Sequence, residues 1–318
     1  MMVMLFSGLL LACVVPRCVC RFSGEGRMSQ VESAMKAAER GGLVVAVEGR
    51  DGAVICAVLG TREKAERHYG SDDDSEFKVA VAAPSVVVAT AGMPGDARHA
   101  VSQARVASVE HWLFFGERPG PSLVARKVAQ HFVAYSGSPL SPNDDDDEDA
   151  YQSLRPPGLA AIVCGLEKNE GAVYLVQPGG DSRRMRAAAI GRDAKQAEDL
   201  LVDLLDDKDG HRSIDCDEAL RIAAKVLHTV ALDNDRPAAD SLRVAVLRRC
   251  KPREQIDFGF ASATYDDGWH TLPGDERAIS VDFLAPDKRQ ALIDDAAREK
   301  NASPSRIKGK PRREFETY

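Results

Sequence analysis

Between Phe22 and Val58 the chain passes from a charged amphipathic segment through a glycine pair into two wholly apolar runs. From Arg27, residues Met28, Val31, Met35 and Ala38 recur at three- and four-residue spacing. Gln30, Glu32, Lys36 and Glu39 fall on the other side, the pattern of an amphipathic helix. Ser23 and Gly24 are start signals, and Gly41-Gly42 is a stop. Beyond it, Leu43–Val47 and Ala53–Val58 are apolar and are joined by Gly49–Gly52, with Asp51-Gly52 as the turn. This predicts a buried hairpin. A helix laid before a buried hairpin is an unusual beginning, and a buried hairpin must be covered by the rest of the chain.

Such cover needs a large chain, and 318 residues supply it. The remaining segments are read in order. Lys78–Ala82 and Ser85–Thr90 are short β-branched runs, and Leu59–Glu76 before them is a charged loop. Asp96 is the expected N-cap of a helix whose apolar stripe is Ala97, Ala100, Val101, Ala104, Ala107 and Val109, through to Trp112. A second helix covers about Ser122 to Ala134. Small residues on the first allow close antiparallel packing of the two. Leu159–Cys164, Ala172–Val176 and Met185–Ile190 are three further strands. Two more helices follow, Ala194–Leu205 capped by Asp193 and a run beginning at Asp217. Leu242–Leu247 and Ile279–Leu284 are strands, and Pro286 opens a last amphipathic helix. Strand blocks alternating with helix pairs predict a four-layer αββα sandwich: two stacked, mainly antiparallel sheets with helix pairs outside.

The resulting organisation has an apolar N-terminal extension at 1–21 and a main domain at 22–285. A polar insertion occupies 136–151, a helix 286–302 and a basic, disordered tail 303–318. Val3–Val15 has the length of a signal-peptide core but no basic residues before it, and Leu10–Cys13 resembles a lipoprotein cleavage box. The alternative is a packed or disordered extension, or a misassigned start. The formal charge of −7 argues against a nucleic-acid binder. It is unevenly spread. Asp144–Asp149 is wholly acidic, and Arg306–Arg313 holds five basic residues and no acid. Seven cysteines without a Cys-x-x-Cys pair fit free thiols in a reducing compartment.

No common catalytic or cofactor motif is complete. Gly24-x-Gly26-x-x-Ser29 has no preceding strand, and Ser replaces the third glycine of a dinucleotide loop. Asp206–Gly210 lacks the calcium ligands required at the loop's first and twelfth positions. No His-x-x-x-His pair and no Gly-x-Ser-x-Gly elbow is present. The expectation is therefore no cofactor and no metal.

The Phe22–Gly42 stretch resembles the start of a proteasome α subunit, where Phe-Ser-Pro-x-Gly-Arg-Leu-x-Gln-Val-Glu-Tyr-Ala-Met-x-Ala precedes a glycine and the first strand. Further motifs agree in order and spacing: Gly92–Arg98 before the first long helix, Arg155–Gly158 and Cys164-Gly165, Gln177–Gly180, and Ala187–Gly191. The resemblance runs from about Arg17 to Leu247. It implies the N-terminal nucleophile hydrolase fold in its non-catalytic branch. Active members begin their first strand with Thr, Ser or Cys, whose free amine is the base. Here Gly41-Gly42-Leu43 stands at that place.

The resemblance further implies a seven-membered ring with other α subunits, contacts with β subunits, and docking of C-terminal tails from regulatory caps. The implied docking residues are Lys78, Glu32 and Gly41. The gate segment falls on Val15, Pro16, Arg17, Gly24 and Ser33. Of the Tyr, Asp, Pro and Tyr that cluster in an open gate, none is present, so the Tyr–Asp hydrogen bonds cannot form. Neither a nucleic-acid nor a membrane partner is expected, and the cytoplasm and nucleus are the expected location. Two other readings stay open: a secreted or lipidated hydrolase using a processed Cys13, Cys18 or Cys20, and a stand-alone paralogue that binds proteasome parts.

Overall fold

A computed structural model describes residues 28–58, 78–136, 155–167, 170–205, 214–232, 242–250 and 278–302. The N-terminal extension, the Leu59–Glu76 loop, the acidic run and the basic tail lie outside these. Six helices are described: α1 (Ser29–Glu39), α2 (Pro94–Phe115), α3 (Pro121–Tyr135), α4 (Ala194–Leu205), α5 (Cys216–Leu232) and α6 (Pro286–Ala302). The strands are β1 (Val44–Gly49), β2 (Gly52–Val58), β3 (Val79–Ala83), β4 (Val86–Gly92), β5 (Leu159–Glu167), β6 (Glu170–Val176), β7 (Ser182–Met185), β8 (Ala187–Ile190), β9 (Leu242–Cys250) and β10 (Ala278–Phe283).

Two five-stranded sheets form, in the orders β10-β9-β2-β1-β8 and β3-β4-β5-β6-β7, and neighbouring strands pair antiparallel. The hairpin runs from Val44 opposite Ala57 to Gly49 opposite Gly52. Strand alternation divides its side chains between two cores. Val44, Ala46, Ile55 and Ala57 face the other sheet, meeting Val87, Ile162 and Val173. Val45, Val47, Val54 and Cys56 face outward onto α4, α5 and α6 through Leu201, Ala223, Val226 and Leu292. The second sheet is covered by α2 and α3, with Ala100, Ala104, Val124, Val128 and Phe132 over Val88 and Val163. The hairpin is apolar on both faces because it is covered on both. The architecture is the expected αββα sandwich.

Four local expectations are corrected. Met185–Ile190 is not one strand. It breaks at Arg186, with β7 ending one sheet and β8 beginning at the edge of the other. The exposed Arg183 and Arg184 keep β7 at a solvent edge, whereas Ala188–Ile190 are small or apolar enough to enter the core. Of the Met28–Val31–Met35–Ala38 stripe only Ala38 is buried; the inner face of α1 is Ala34 with Ala38, and Met35 is exposed. Alanines let the helix backbone lie close on β4 and β5. Helix α5 starts at Cys216, one residue before the expected Asp217, and Asp215 caps it by accepting the Glu218 N–H at 2.8 Å. Asp217 pairs with Arg248.

The fourth concerns Asp96. Helix α2 begins three residues earlier, with Met93 as N-cap and Pro94 in its first turn, where proline's missing N–H costs nothing. Asp96 accepts both Arg155 Nη1 and Nη2 at 2.8 Å and the Gly158 N–H at 2.7 Å. The Gly92–Arg98 and Arg155–Gly158 motifs are therefore two halves of one contact. Burial raises the Asp96 pKa, but the Arg155 hydrogen bonds and charge and the Gly158 N–H outweigh it, leaving it below the usual carboxylate value. The resulting stabilisation is complete above the unfolded aspartate pKa near 3.9 and is lost as pH falls through the lower folded value. Asp96→Asn should lower the thermal midpoint at pH 7 and make less difference at pH 3, as read by circular dichroism melts. Equal losses at both pH values would contradict the assignment.

Candidate functional site

The junction between α1 and β1 is closely packed on several sides. Helix α1 ends at Arg40, and the Gly41 N–H still reaches the Ala38 carbonyl at 3.0 Å. Two glycines then carry the backbone into Leu43. Across the gap stands Lys78, at the head of β3, held in place as its carbonyl accepts the Thr90 N–H at 2.9 Å. Lys78 is only 6% exposed, and its Nζ donates to the Gly42 carbonyl at 2.9 Å. A buried ammonium needs such a partner, because desolvating it without one is costly.

Gly42 cannot be enlarged where it sits. A Cβ there would stand 2.4 Å from the Val58 carbonyl oxygen and 3.1 Å from Lys78 Nζ. On the other side Gly191, at φ +93°, closes on the Gly42 carbonyl so tightly that its own Cβ would lie 2.4 Å away. The Arg192 N–H donates to the Gly41 carbonyl at 2.8 Å. These ties fix the junction from β2, β3 and the β8–α4 turn at once. Leu43–Val47 and the Gly-Gly pair were legible in the sequence; the Gly42 carbonyl as the partner of Lys78 was not, since the two lie 36 residues apart.

The structure brings Lys78, Gly41 and Gly42 together. Glu32 sits half-buried on α1, nine residues before Gly41 and about 13 Å back along the helix axis at 1.5 Å per residue. Ser33 is exposed, and its hydroxyl donates to the Ser29 carbonyl of its own helix at 2.8 Å. Val15, Pro16, Arg17 and Gly24 lie outside the described residues, as do Cys13, Cys18 and Cys20. The described cysteines Cys56, Cys164 and Cys216 are buried in the cores. Burial pushes the thiols of Cys56 and Cys216 up to about 12 and that of Cys164 upward also, so none is a thiolate at neutral pH. Among the described residues, no three His, Cys, Asp or Glu side chains gather as a metal site, and no helix is long and apolar enough to cross a membrane.

Residues 38–247 match the model of the proteasome subunit family. The chain belongs to that family. It is a divergent α-type member. It is 31% identical over 212 residues to proteasome subunit alpha of Aeropyrum pernix, covering 66% of this chain and 72% of that protein. Proteasome subunit alpha of Methanocaldococcus jannaschii is 27% identical, with 70% and 76% covered. Proteasome subunit alpha type-5 of Drosophila melanogaster is 27% identical, with 73% and 87% covered. The αββα sandwich and the glycine-bounded junction are thus features of an α-type proteasome subunit.

Proposed function

We propose that this subunit is a non-catalytic structural and gating member of the outer α ring of a proteasome core particle. In that position it controls substrate entry and docks regulatory tails during ubiquitin-dependent degradation. The observation that carries the non-catalytic part is Gly42 beside Lys78. The strand start at which an N-terminal nucleophile would stand holds a residue without a side chain and without room for one. The chain also runs on through it into α1 rather than ending in a free amine. Helix α1 packs on β4 and β5 and sends Ala38 into the core between the sheets, closing that end of the sandwich.

Assembly with other subunits is supported by the C-terminal end of α2. Leu113, Phe114 and Phe115 are 67%, 81% and 68% exposed, a run of large apolar side chains that a lone soluble domain rarely leaves uncovered. Separation of the native protein on a non-denaturing gel should show it co-migrating with β subunits and peptidase activity. The purified chain alone should cleave no peptide. Migration as a monomer apart from that activity would overturn the assignment, and a mature N-terminus at a nucleophilic residue abutting Leu43 would overturn its non-catalytic part.

Gating follows a departure from the family pattern. Val15, Pro16, Gly24 and Ser33 supply none of the Tyr–Asp hydrogen bonds of the usual open cluster, and the Ser33 hydroxyl is turned back onto its own helix. The subunit therefore contributes no standard contact to an open gate. An assembled ring with Val15 and Ser33 ordered in that cluster would refute this.

A further inference from the structure

Away from the junction, three donor-bearing rings from two helices meet at one surface cleft. His131 and Tyr135 stand four residues apart on α3, which places them on one helical face. His99 meets them from α2. The His99 and His131 ring centres are 4.6 Å apart, those of His131 and Tyr135 4.6 Å, and those of His99 and Tyr135 5.8 Å. His99 Nε2 lies 3.1 Å from Tyr135 Oη. That is a hydrogen-bond distance. It is also the separation of two donors that each sit about 2.1 Å from one shared ion.

The other walls of the cleft are Asp96, Phe132, Arg155 and Pro157. Arg155 is the one cation among the lining residues, and its guanidinium is already bound in a fork to Asp96. The cleft therefore offers an anion no uncommitted guanidinium fork, and the Asp96 charge offsets the repulsion that Arg155 would exert on a cation. What remains is two imidazoles and a phenol, a nitrogen-rich set suited to first-row transition ions rather than to calcium or magnesium. The spacing supports the same conclusion: an i, i+4 pair on one helix is how helical metal sites present two ligands together.

We propose that His99, His131 and Tyr135 form a binding site for a divalent zinc, nickel or copper ion. On binding, the ion replaces the His99–Tyr135 hydrogen bond, and any proton released from the phenol passes to solvent. The bound ion joins α2 to α3 in the layer that covers the second sheet. It therefore stabilises the native chain by mass action. This site is independent of the α1–β1 junction and of the assembly reading.

The test uses the full chain, stripped with a chelator and titrated with zinc chloride by calorimetry, with thermal melts in parallel. Expected are one equivalent bound at this cleft and a zinc-dependent rise in the melting temperature that the chelator reverses. His99→Gln alters an exposed side chain, so the variant should fold; its affinity should fall at least about tenfold, the loss of one ligand worth roughly 1.4 kcal/mol. His131→Gln should do the same. With copper, Tyr135→Phe should lower affinity and remove a phenolate-to-metal absorption band. Absence of zinc, nickel and copper binding would overturn the site. So would affinities unchanged in both histidine variants, since the chain has seven histidines that could bind elsewhere. Unchanged copper binding and spectrum in Tyr135→Phe would overturn the three-donor arrangement.

Discussion

Replacing Gly171 with valine should prevent the two sheets from closing, with a stability loss of about 3 kcal/mol or more, the upper end of overpacking effects. Gly171 lies at the start of β6, opposite Leu166 of β5, under the end of the β1–β2 hairpin. A Cβ there would stand 1.8 Å from the Gly52 carbonyl oxygen and 2.6 Å from that of Gly49. Both obstacles are backbone, so no rotamer change removes them. Either the hairpin end must lift from the second sheet or β6 must leave its register. Each exposes part of the core that Ile55, Val173 and Leu247 share. Urea midpoints of the purified chain would measure the loss. Gly179→Ala is the matched control: Gly179 is exposed and its nearest neighbour is a Val31 methyl at 3.6 Å, so its effect should stay within about 0.5 kcal/mol. A Gly171→Val midpoint equal to that of the control would contradict the inter-sheet contact.

Gly171 also marks where sequence reading runs out. The apolar runs Leu43–Val47 and Ala53–Val58 announced a buried hairpin, and the alternation of strand blocks with helix pairs announced the layers around it. Periodicity placed α2, α3 and α4 because their inward faces are built of local three- and four-residue repeats, although Val109, part of the expected α2 stripe, is exposed. What it did not place were contacts between residues far apart in sequence. Asp96 has the composition of an N-cap, yet its carboxylate is taken by Arg155, 59 residues on. Met185–Ile190 reads as one strand because nothing local shows that the chain changes sheets at Arg186. The α1 stripe is right at Ala38 and wrong at Met35. Hydrophobicity favours the methionine, whereas the residues that α1 buries are the small Ala34 and Ala38, and Ala37 lies close against Gly158. At the candidate site, Lys78 and Gly41 were named through resemblance, and the Gly42 carbonyl that holds Lys78 was visible only in three dimensions. The His99–His131–Tyr135 group was missed because a search for His-x-x-x-His passes over a pair that is His-x-x-x-Tyr.

On the proposal that a regulatory tail docks on Lys78, Lys78→Met should leave the ring assembled with its basal peptidase activity and weaken stimulation by that tail. Two effects are separable. Methionine keeps the apolar stem but leaves the Gly42 carbonyl without this donor, a structural cost of about 1–3 kcal/mol. That cost lowers the melting temperature of the chain whether or not a tail binds. The second effect concerns the tail. A carboxylate paired with an ammonium gains about 1.5–3 kcal/mol, so losing Lys78 should weaken a tail peptide by roughly 10- to 100-fold. Lys78→Arg distinguishes the two. It restores the charge, but its wider guanidinium meets the same tight surroundings at Gly42 and Val58, so stability should fall while part of the peptide binding survives. Because Lys78 is buried, docking must also open the mouth between Gly42 and Val58. The wild-type affinity therefore already contains an opening cost, and a tail should speed proton exchange at the Val58 amide, which donates to the Leu43 carbonyl at 2.8 Å in the closed form. Peptide affinity unchanged in Lys78→Met, with the melting temperature lowered, would leave Lys78 as a structural clamp on the α1–β1 junction and remove it from the docking pocket.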